Sequence, residues 1–312
     1  MPPRAVKLGV NFMPLLQVQA EKLSLEQLER GIIEEIIDID QFYALVPFLP
    51  VNGKAYLYNR EQTLSEAEFL SPYDPVSEGA ATFEEVTAKL RIIAGDVDLD
   101  KFIISTMSDH NSQLAIQLAE KAKGVSRMFR RALIQGDCSV NPKSFDGLAK
   151  LCVPDQTLVA GVNGAAMTLG MLDELLDAVK LGADALVMRR STWRSVRALL
   201  RSFNGNHADM IMIKNFGQPV PAYNGTPVLL NDFILPTEVT GTNNATTSIY
   251  AIRLNEADGF HGIVGGEAAG FKIEEIGTIQ NKDAVRYRVK WYVGTALKST
   301  LSLARLSGLT NV

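Results

Sequence analysis

Residues 110–135 are the longest stretch of helical periodicity in the sequence, and a helix of that length limits the folds open to the chain. Its apolar stripe consists of Leu114, Leu118, Ala122, Val125, Phe129 and Leu133. At 1.5 Å per residue the helix would extend about 39 Å, which is long for an ordinary domain. Asn111 or Ser112 is placed to cap its start, and Gly136 is placed as the C′ glycine that ends it. The pattern therefore predicts a structural spine.

Two segments with strand character flank an unusually long connection. Residues 51–60 and 82–95 are predicted to pair as a hairpin. Connections longer than about 12–15 residues are uncommon in compact domains unless they are functional or disordered. The connection 61–82 has no Lys, Arg or His and carries five acidic residues, Glu61, Glu66, Glu68, Asp74 and Glu78. Two interpretations stay open: a disordered hairpin tip, or an arm that becomes ordered only on a neighbouring molecule.

The other elements indicate a mixture of helices and strands. Near the N-terminus, 23–40 is predicted as a helix in which Ser24 and Gln27 form a capping box. Beyond residue 151 two further helices are predicted, and Ser191 or Thr192 is placed to cap the second of them, at 191–201. The patterns there predict helices at 168–180 and 191–201 and strands at 183–188, 225–235, 247–254 and 284–293.

The sequence contains no recognisable active-site motif. Its three histidines stand in unrelated contexts, and no serine or cysteine has the setting of a nucleophile. Residues 96–101 have the aspartate spacing that opens a calcium loop, but Lys101 and Met107 stand where that loop needs glycine and glutamate. We read this segment as a strand end with solvated carboxylates. We therefore predict no catalytic, cofactor-binding or metal-binding residues and no enzymatic activity.

Composition excludes some classes of protein. The net charge of −4 does not indicate a dedicated nucleic-acid or membrane binder. No apolar run approaches the roughly 18 residues that cross a bilayer, and the N-terminus does not have the pattern of a signal peptide. Two cysteines among 312 residues form no disulfide framework and suit a reducing compartment. We expect a soluble, intracellular protein.

Two of the predicted helices carry basic residues on one face. They are Lys123, Arg127 and Arg131 on the long helix, with Lys121 and Arg130 beside them, and Arg190, Arg194, Arg197 and Arg201 on the helix near 191–201. A solvated face with weak local ion pairs would explain them. A nucleic-acid surface is another interpretation, although no aromatic residues are interleaved for base stacking. In a third interpretation these faces receive the acidic segment 61–82.

The residues that follow the long helix resemble a known family. The sequence ALIQGDCSVNPKSFDGLAKL (132–151) is similar to the junction in major capsid proteins of tailed phages of the Hong Kong 97 type. There a spine helix ends in a Gly-Asp turn that an Asn-Pro-Lys-x-Phe-Asp-Gly-Leu segment follows. The matching residues are Gly136, Asp137, Asn141, Pro142, Lys143, Phe145, Asp146, Gly147 and Leu148. Weaker resemblances at 30–37, 183–200, 223–236 and 287–309 follow in the family's order.

This resemblance implies an α+β fold of the Hong Kong 97 capsid type. The chain would divide into an N-terminal arm with a short helix (1–50), an extended E-loop hairpin (51–95), a P-domain (96–150, completed by about 270–293) with its spine helix at 110–135, and an axial A-domain (151–269, completed by about 294–312). The segment after the spine helix is then a structural junction, because Pro142 stops the helix while Gly136 and Gly147 permit backbone conformations that other residues resist. Asn141 and Asp146 would satisfy backbone groups locally.

The implied function is that of a major capsid protein. Copies of the chain would self-assemble as hexamers and pentamers into an icosahedral shell around the double-stranded DNA of a tailed bacteriophage. The protein would be found in the virion after assembly in the host cytoplasm, without contact with a membrane. The further partners implied are a separate scaffolding protein, a portal, a cement or decoration protein, and packaged DNA bound without sequence specificity.

The family's E-loops lie across an adjacent subunit, so the acidic segment is expected to dock on a neighbour's basic surface. The candidates for inter-subunit contact are Glu61, Glu66, Glu68, Asp74 and Glu78 on the arm, and Lys121, Lys123, Arg127, Arg130, Arg131, Arg286, Arg288 and Lys290 on the receiving surfaces. Some family members join subunits by an isopeptide bond from an E-loop lysine. Because 61–82 contains no lysine, we expect a shell without this cross-link.

Two other interpretations stay open. An encapsulin-like nanocompartment has the same fold but encloses protein cargo instead of DNA. A metabolic enzyme could be built around the strand-and-helix unit near 168–201, although this interpretation rests only on a generic pattern.

Overall fold

A computed structural model of the chain describes residues 40–65, 67–71, 76, 78–106, 113–202, 209–213, 219–266, 270 and 272–310. The predicted helix at 23–40 lies, up to residue 39, outside the described residues. Two members of the acidic segment, Glu66 and Asp74, lie outside them as well.

The predicted spine is confirmed. A short helix, α1 (Lys101–Thr106), precedes the spine helix, α2 (Gln113–Gln135), which ends where the sequence predicted. The first three residues of the predicted span fall outside the described part of the chain. Val125, Phe129 and Leu133 of the predicted stripe are buried, so the apolar face of α2 packs inward.

A five-stranded central sheet lies against the spine helix. Its strands are β1 (Phe48–Val51), β4 (Arg91–Asp100), β12 (Phe260–Gly265), β13 (Lys272–Thr278) and β14 (Ala284–Leu297). The long strand β14 pairs with β4 along one edge and with β13 and then β12 along the other. The strand predicted at 284–293 is thus confirmed, and it forms the middle of this sheet.

The hairpin is a separate two-stranded sheet of β2 (Ala55–Thr63) and β3 (Thr82–Lys89). The prediction of single strands at 51–60 and 82–95 is wrong in one respect, because each divides in two. Gly53, with φ of +127°, turns the chain between β1 and β2. On the other side, β3 ends at Lys89 and β4 starts at Arg91, where the pairing partner changes from β2 to β14.

A second, eight-stranded sheet is called the large sheet below. Its strands run in the order β5-β15-β11-β6-β9-β8-β7, with β10 also paired to β11. They are β5 (Thr157–Val159), β6 (Ala185–Met188), β7 (Asp209–Met212), β8 (Pro219–Tyr223), β9 (Thr226–Leu230), β10 (Glu238–Thr240), β11 (Asn243–Ile252) and β15 (Leu303–Leu309). The apolar stretch near the C-terminus becomes β15, which lies between β5 and β11.

Three helices accompany the large sheet: α3 (Leu148–Leu151), α4 (Leu169–Ala178) and α5 (Arg190–Ser202). The helices predicted at 168–180 and 191–201 are confirmed by α4 and α5. The prediction that Ser191 or Thr192 caps the second helix is wrong. The Trp193 amide donates to the Arg189 carbonyl, so the helix begins at Arg190 and both residues lie inside its first turn.

The two faces of the large sheet belong to different apolar clusters. Val187 of β6 packs in the cluster that contains Phe129 of the spine helix. Its neighbour Leu186, which points the opposite way, packs with Leu172 of α4 and Trp193 of α5. One face of the sheet therefore belongs to the cluster that includes the spine helix, and α4 and α5 share the other face.

Candidate subunit-contact surfaces

The segment 136–147 forms a closed loop at the end of the spine helix. The Gly147 amide donates to the Gly136 carbonyl at 2.8 Å, so the segment returns to the residue from which it left the helix. Asp146 accepts from the Cys138 amide at 2.8 Å, and Asn141 accepts from the Lys143 amide at 3.1 Å. These contacts confirm that Asn141 and Asp146 satisfy backbone groups locally.

The two glycines of this loop are needed for close approach. Gly136 follows the last residue of the helix as predicted, but neither Gly136 nor Gly147 has the positive φ that is usual for a glycine at a helix end. A Cβ at Gly136 would lie 2.3 Å from the Phe145 carbonyl oxygen, and one at Gly147 would lie 2.4 Å from the Ala132 carbonyl oxygen. The loop packs so tightly on the helix end that no side chain fits at either position.

The base of the hairpin is bonded to the body of the same chain. The Tyr58 hydroxyl donates to the Leu297 carbonyl at 2.7 Å, and Nε of Arg60 donates to the Lys298 carbonyl at 2.7 Å. The ring of Tyr56 meets the buried His261 edge-on, with 5.9 Å between centroids. These contacts hold the first half of β2 against the end of β14.

The described residues of the outer hairpin expose apolar and acidic side chains. Phe69 is fully exposed, and the other large apolar side chains exposed there are Leu64, Leu70, Val76 and Phe83. The acidic candidates Glu61, Glu68 and Glu78 are exposed too, and no described cation forms an ion pair with them. A surface that is both apolar and acidic is thus left uncovered by the described residues of the chain.

The basic face of β14 is paired within the chain. Arg286 contacts Asp98 in a bidentate geometry at 2.6 and 2.7 Å, and Arg288 contacts Asp96 likewise at 2.7 and 2.8 Å. The guanidinium groups hold the pKa of both carboxyls below their usual value. The predicted strand end is confirmed, because β4 ends at Asp100, but the carboxylates of Asp96 and Asp98 pair with arginines where we expected solvation. Nζ of Lys290 lies 2.6 Å from Oε1 of Glu274.

The cations of the spine helix lie in different environments. Lys121 is fully buried beneath β4, where a Cβ on Gly95 would come within 3.1 Å of its side chain. Burial lowers the pKa of Lys121. The prediction that Lys121 belongs to an exposed stripe is therefore wrong. Lys123 is half-buried, whereas Arg127 and Arg131 are exposed.

Arg130 of the spine helix contacts Asp40 and Tyr43, which lie near the start of the described residues. Its Nε lies 3.9 Å from Oδ2 of Asp40, and its guanidinium lies 5.2 Å from the centroid of the Tyr43 ring. Oδ1 of Asp40 accepts from Nδ2 of Asn231 at 2.8 Å. Burial raises the pKa of Asp40 to about 6, although Tyr43 and Arg130 oppose this. Arg130 is thus part of an internal cluster.

The face of the large sheet that carries α4 and α5 holds two more charged rows. The four arginines of α5, Arg190, Arg194, Arg197 and Arg201, are exposed. The acidic row on α4, formed by Asp173, Glu174 and Asp177, is also exposed and was missed in the sequence. Their spacing in DELLD shows that they share one helix face, but only the packing places that helix beside α5.

His261 and the two cysteines stand in buried or hydrogen-bonded settings. None of their His, Cys, Asp and Glu side chains group to hold a metal ion. His261 is buried, and desolvation lowers its pKa. The Cys138 thiol lies 3.2 Å from Oδ2 of Asp146, and this contact raises the pKa of the thiol, which disfavours a reactive thiolate. None of the helices in the described ranges is long and apolar enough to span a membrane.

A spine helix packed on a central sheet, together with a large sheet and a two-stranded hairpin, defines the class of this protein. The chain has the Hong Kong 97 capsid fold, which is found in shell-forming proteins. No protein-family model and no curated protein matches its sequence.

Several solved structures have folds similar to that of this chain. The chain is similar to the SrpI encapsulin of Synechococcus elongatus PCC 7942, with a TM-score of 0.71, 19% identity and coverage of 95% of this chain and 96% of that one. It is similar to a chain of Mycobacterium phage Ogopogo (TM-score 0.63, 15% identity, 94% and 98% covered). It also resembles the capsid of an empty GTA particle, with a TM-score of 0.62, 17% identity and coverage of 90% of this chain and 99% of that one. At these identities the similarity is one of fold.

Proposed function

We propose that this chain is the major capsid protein of a tailed bacteriophage. Copies assemble as hexamers and pentamers into an icosahedral shell that encloses double-stranded DNA. The observation that supports this most is the hairpin, whose base is bonded to the chain's own body while its apolar and acidic tip is left uncovered by the described residues. Such a tip suits a subunit whose neighbour completes the burial.

A shell of this kind needs no catalyst. Each subunit makes several interfaces of ordinary size, about 800 Å² per partner. Each interface can be modest, because many of them form together when the symmetric shell closes. The net charge of −4 suits a container through which DNA moves, because a strongly basic lining would retain the DNA. A separate scaffolding protein, a portal and a cement or decoration protein complete the proposed virion, which assembles in the host cytoplasm.

The ion pairs of β14 within the chain help to choose between the two candidate surfaces for docking of the acidic hairpin. Arg286, Arg288 and Lys290 already have carboxylate partners at 2.6–2.7 Å, so a neighbour's glutamates would have to displace them. Arg131 on the spine helix is exposed, and its Nε donates to the neutral side chain of Gln135. We therefore propose that the hairpin docks along the spine helix of the neighbour.

An encapsulin-like nanocompartment is the second candidate. The similarity to the SrpI encapsulin, with a TM-score of 0.71 and 95% of this chain covered, favours it. The two candidates share the shell and differ in its contents.

Electron microscopy and analysis of contents would test both candidates. The chain is purified from the source that carries its gene, the assembled fraction is imaged, and its contents are measured after nuclease treatment. We expect closed icosahedral particles with nuclease-protected double-stranded DNA. Particles that hold a defined protein and no protected DNA would favour the encapsulin. A chain that stays monomeric at high concentration, with and without a scaffolding protein, would contradict both.

A further inference from the structure

The outer face of the large sheet carries two helices of opposite charge. The helix α4 presents three exposed carboxylates, on Asp173, Glu174 and Asp177. The helix α5 contains no acidic residue and presents four exposed guanidinium groups, on Arg190, Arg194, Arg197 and Arg201. We call these the acidic row and the arginine row. Both helices pack by their apolar sides into one cluster, so the two rows point away from the same face.

Neither row is neutralised by the described residues. None of their carboxylates forms an ion pair with the arginine row, and none of their cations forms one with the acidic row. The polar contacts of the acidic row are neutral: Oδ1 of Asp173 accepts from the Tyr223 hydroxyl at 2.8 Å. This contrasts with β14, where Arg286 and Arg288 each have a bidentate partner.

The arginine row is held in a fixed place. Trp193 and Val196 are buried on the opposite side of α5, which prevents the helix from rotating. From Arg190 to Arg201 the row extends about 16 Å at 1.5 Å per residue. Guanidinium groups bind carboxylates and phosphates with two parallel hydrogen bonds, so a row of arginines on a rigid helix suits an extended anionic surface.

Two anionic surfaces have the required chemistry, a nucleic-acid backbone and the acidic row of a second copy. A duplex laid on the arginine row would also face the carboxylates of α4, because both helices lie on one side of the sheet. That arrangement is repulsive over part of the contact. The acidic row of another copy has the matching charge and the same helical form, and its docking would neutralise both rows at once.

We propose that the arginine row of α5 docks on the acidic row of α4 in an adjacent copy of the chain. The two patches differ, so the contact is head-to-tail and each subunit still offers one row of each sign to the next neighbour. A contact of this kind closes into a ring when the rotation fits. The inference rests on the proposed shell function and adds to it a contact within the capsomer, separate from the hairpin.

Charge reversal tests this contact. One variant carries Arg194→Glu and Arg197→Glu, a second carries Glu174→Lys and Asp177→Lys, and a third carries all four changes. Asp173 is left intact because of its bond to Tyr223. The critical concentration for assembly is measured by sedimentation in the full chain. Each two-site variant should raise it at least about tenfold, since like charges then face each other. The four-site variant should return to within about threefold of the parent.

Controls separate folding and nucleic-acid effects. All changed residues are exposed, so the melting temperature of the unassembled subunit should stay the same. The pair Arg194→Lys and Arg197→Lys keeps the charge and should assemble nearly as the parent does. Failure of the four-site variant to recover would overturn the contact. Normal assembly of Arg194→Glu, Arg197→Glu with loss of duplex DNA binding would assign the row to nucleic acid. If the parent forms no shell, the proposed function fails first.

Discussion

The centre of the subunit and its hairpin use the same kinds of residue with opposite results. Phe129 on the spine helix is fully buried, and the ring centroids of Trp291, Phe145 and Phe48 lie 4.5, 5.5 and 6.0 Å from its own. Phe69 near the hairpin tip is fully exposed. The centre is therefore stabilised by its own chain, whereas the described residues leave Phe69 uncovered, and in the proposed shell a neighbour would bury it.

Charged residues show the same difference. On the central sheet, Asp98 lies directly opposite Arg286 and Asp96 opposite Arg288, so each cation meets its anion across one strand pair. On the hairpin, Glu61, Glu68 and Glu78 have no ion-pair partner among the described residues. Substitutions in the two regions should thus separate folding of the subunit from assembly of the shell.

Truncation of the central aromatic residue should have the largest effect. Phe129→Ala leaves a cavity among the rings of Trp291, Phe145, Phe48 and Tyr43 and should lower the free energy of unfolding by about 3–5 kcal/mol. Urea unfolding of the unassembled subunit measures this. Met128→Ala is the matched control, because Met128 is mostly exposed on the same helix and should change the free energy by less than about 1 kcal/mol. Equal effects would contradict the assignment of the core.

The loop after the spine helix should be the next most sensitive. In Gly147→Ala the new methyl group would lie 2.4 Å from the Ala132 oxygen and 2.7 Å from the Gly136 nitrogen. Backbone must shift, so we expect a loss of about 3 kcal/mol in the free energy of unfolding. Gly170→Ala is the control, since nothing lies within 4 Å of its Cβ position and alanine suits helix α4. It should stabilise the subunit by up to about 1 kcal/mol.

The sequence predicted what depends on local patterns. The period of the apolar residues predicted the spine helix, and Gly136 and Pro142 predicted where it ends. The resemblance then implied the fold. By contrast, β3 and β4 could not be separated, because strand-like residues continue past Leu90 and the division reflects a change of partner.

The candidate surfaces were less predictable because they depend on tertiary contacts. From the sequence we placed Lys121 beside the basic face of the helix and among the contact candidates, but β4 covers it at Gly95. The aspartates of 96–100 looked like the start of a calcium loop, yet their period of two matches the arginines of β14. The packing of the helix beneath β4 decides the first case and strand register decides the second, and local sequence reveals neither.

Titration of Asp40, which lies beside the spine helix, should make the free energy of unfolding of the subunit depend on pH. Its pKa is about 6 in the folded chain against an ordinary value of 3.8, so the folded state binds more protons between about pH 4 and 6. Stability should fall as pH rises through this window, by about 1–3 kcal/mol, because the buried carboxylate is costly to ionise. Asp40→Asn should remove this component of the pH profile. A variant profile parallel to that of the parent would contradict the assignment.

Truncation at the hairpin tip should have the smallest effect on the subunit and a clear effect on the shell. Phe69→Ser removes a ring that the described residues leave uncovered, so the free energy of unfolding should change by less than about 0.5 kcal/mol. If a neighbour buries the ring, assembly loses about 2 kcal/mol per contact and the critical concentration rises. Val140→Ser, at an exposed position in the loop after the spine helix, is the matched control for lost apolar surface. Equal assembly of both variants would mean that the hairpin tip stays in solvent within the shell.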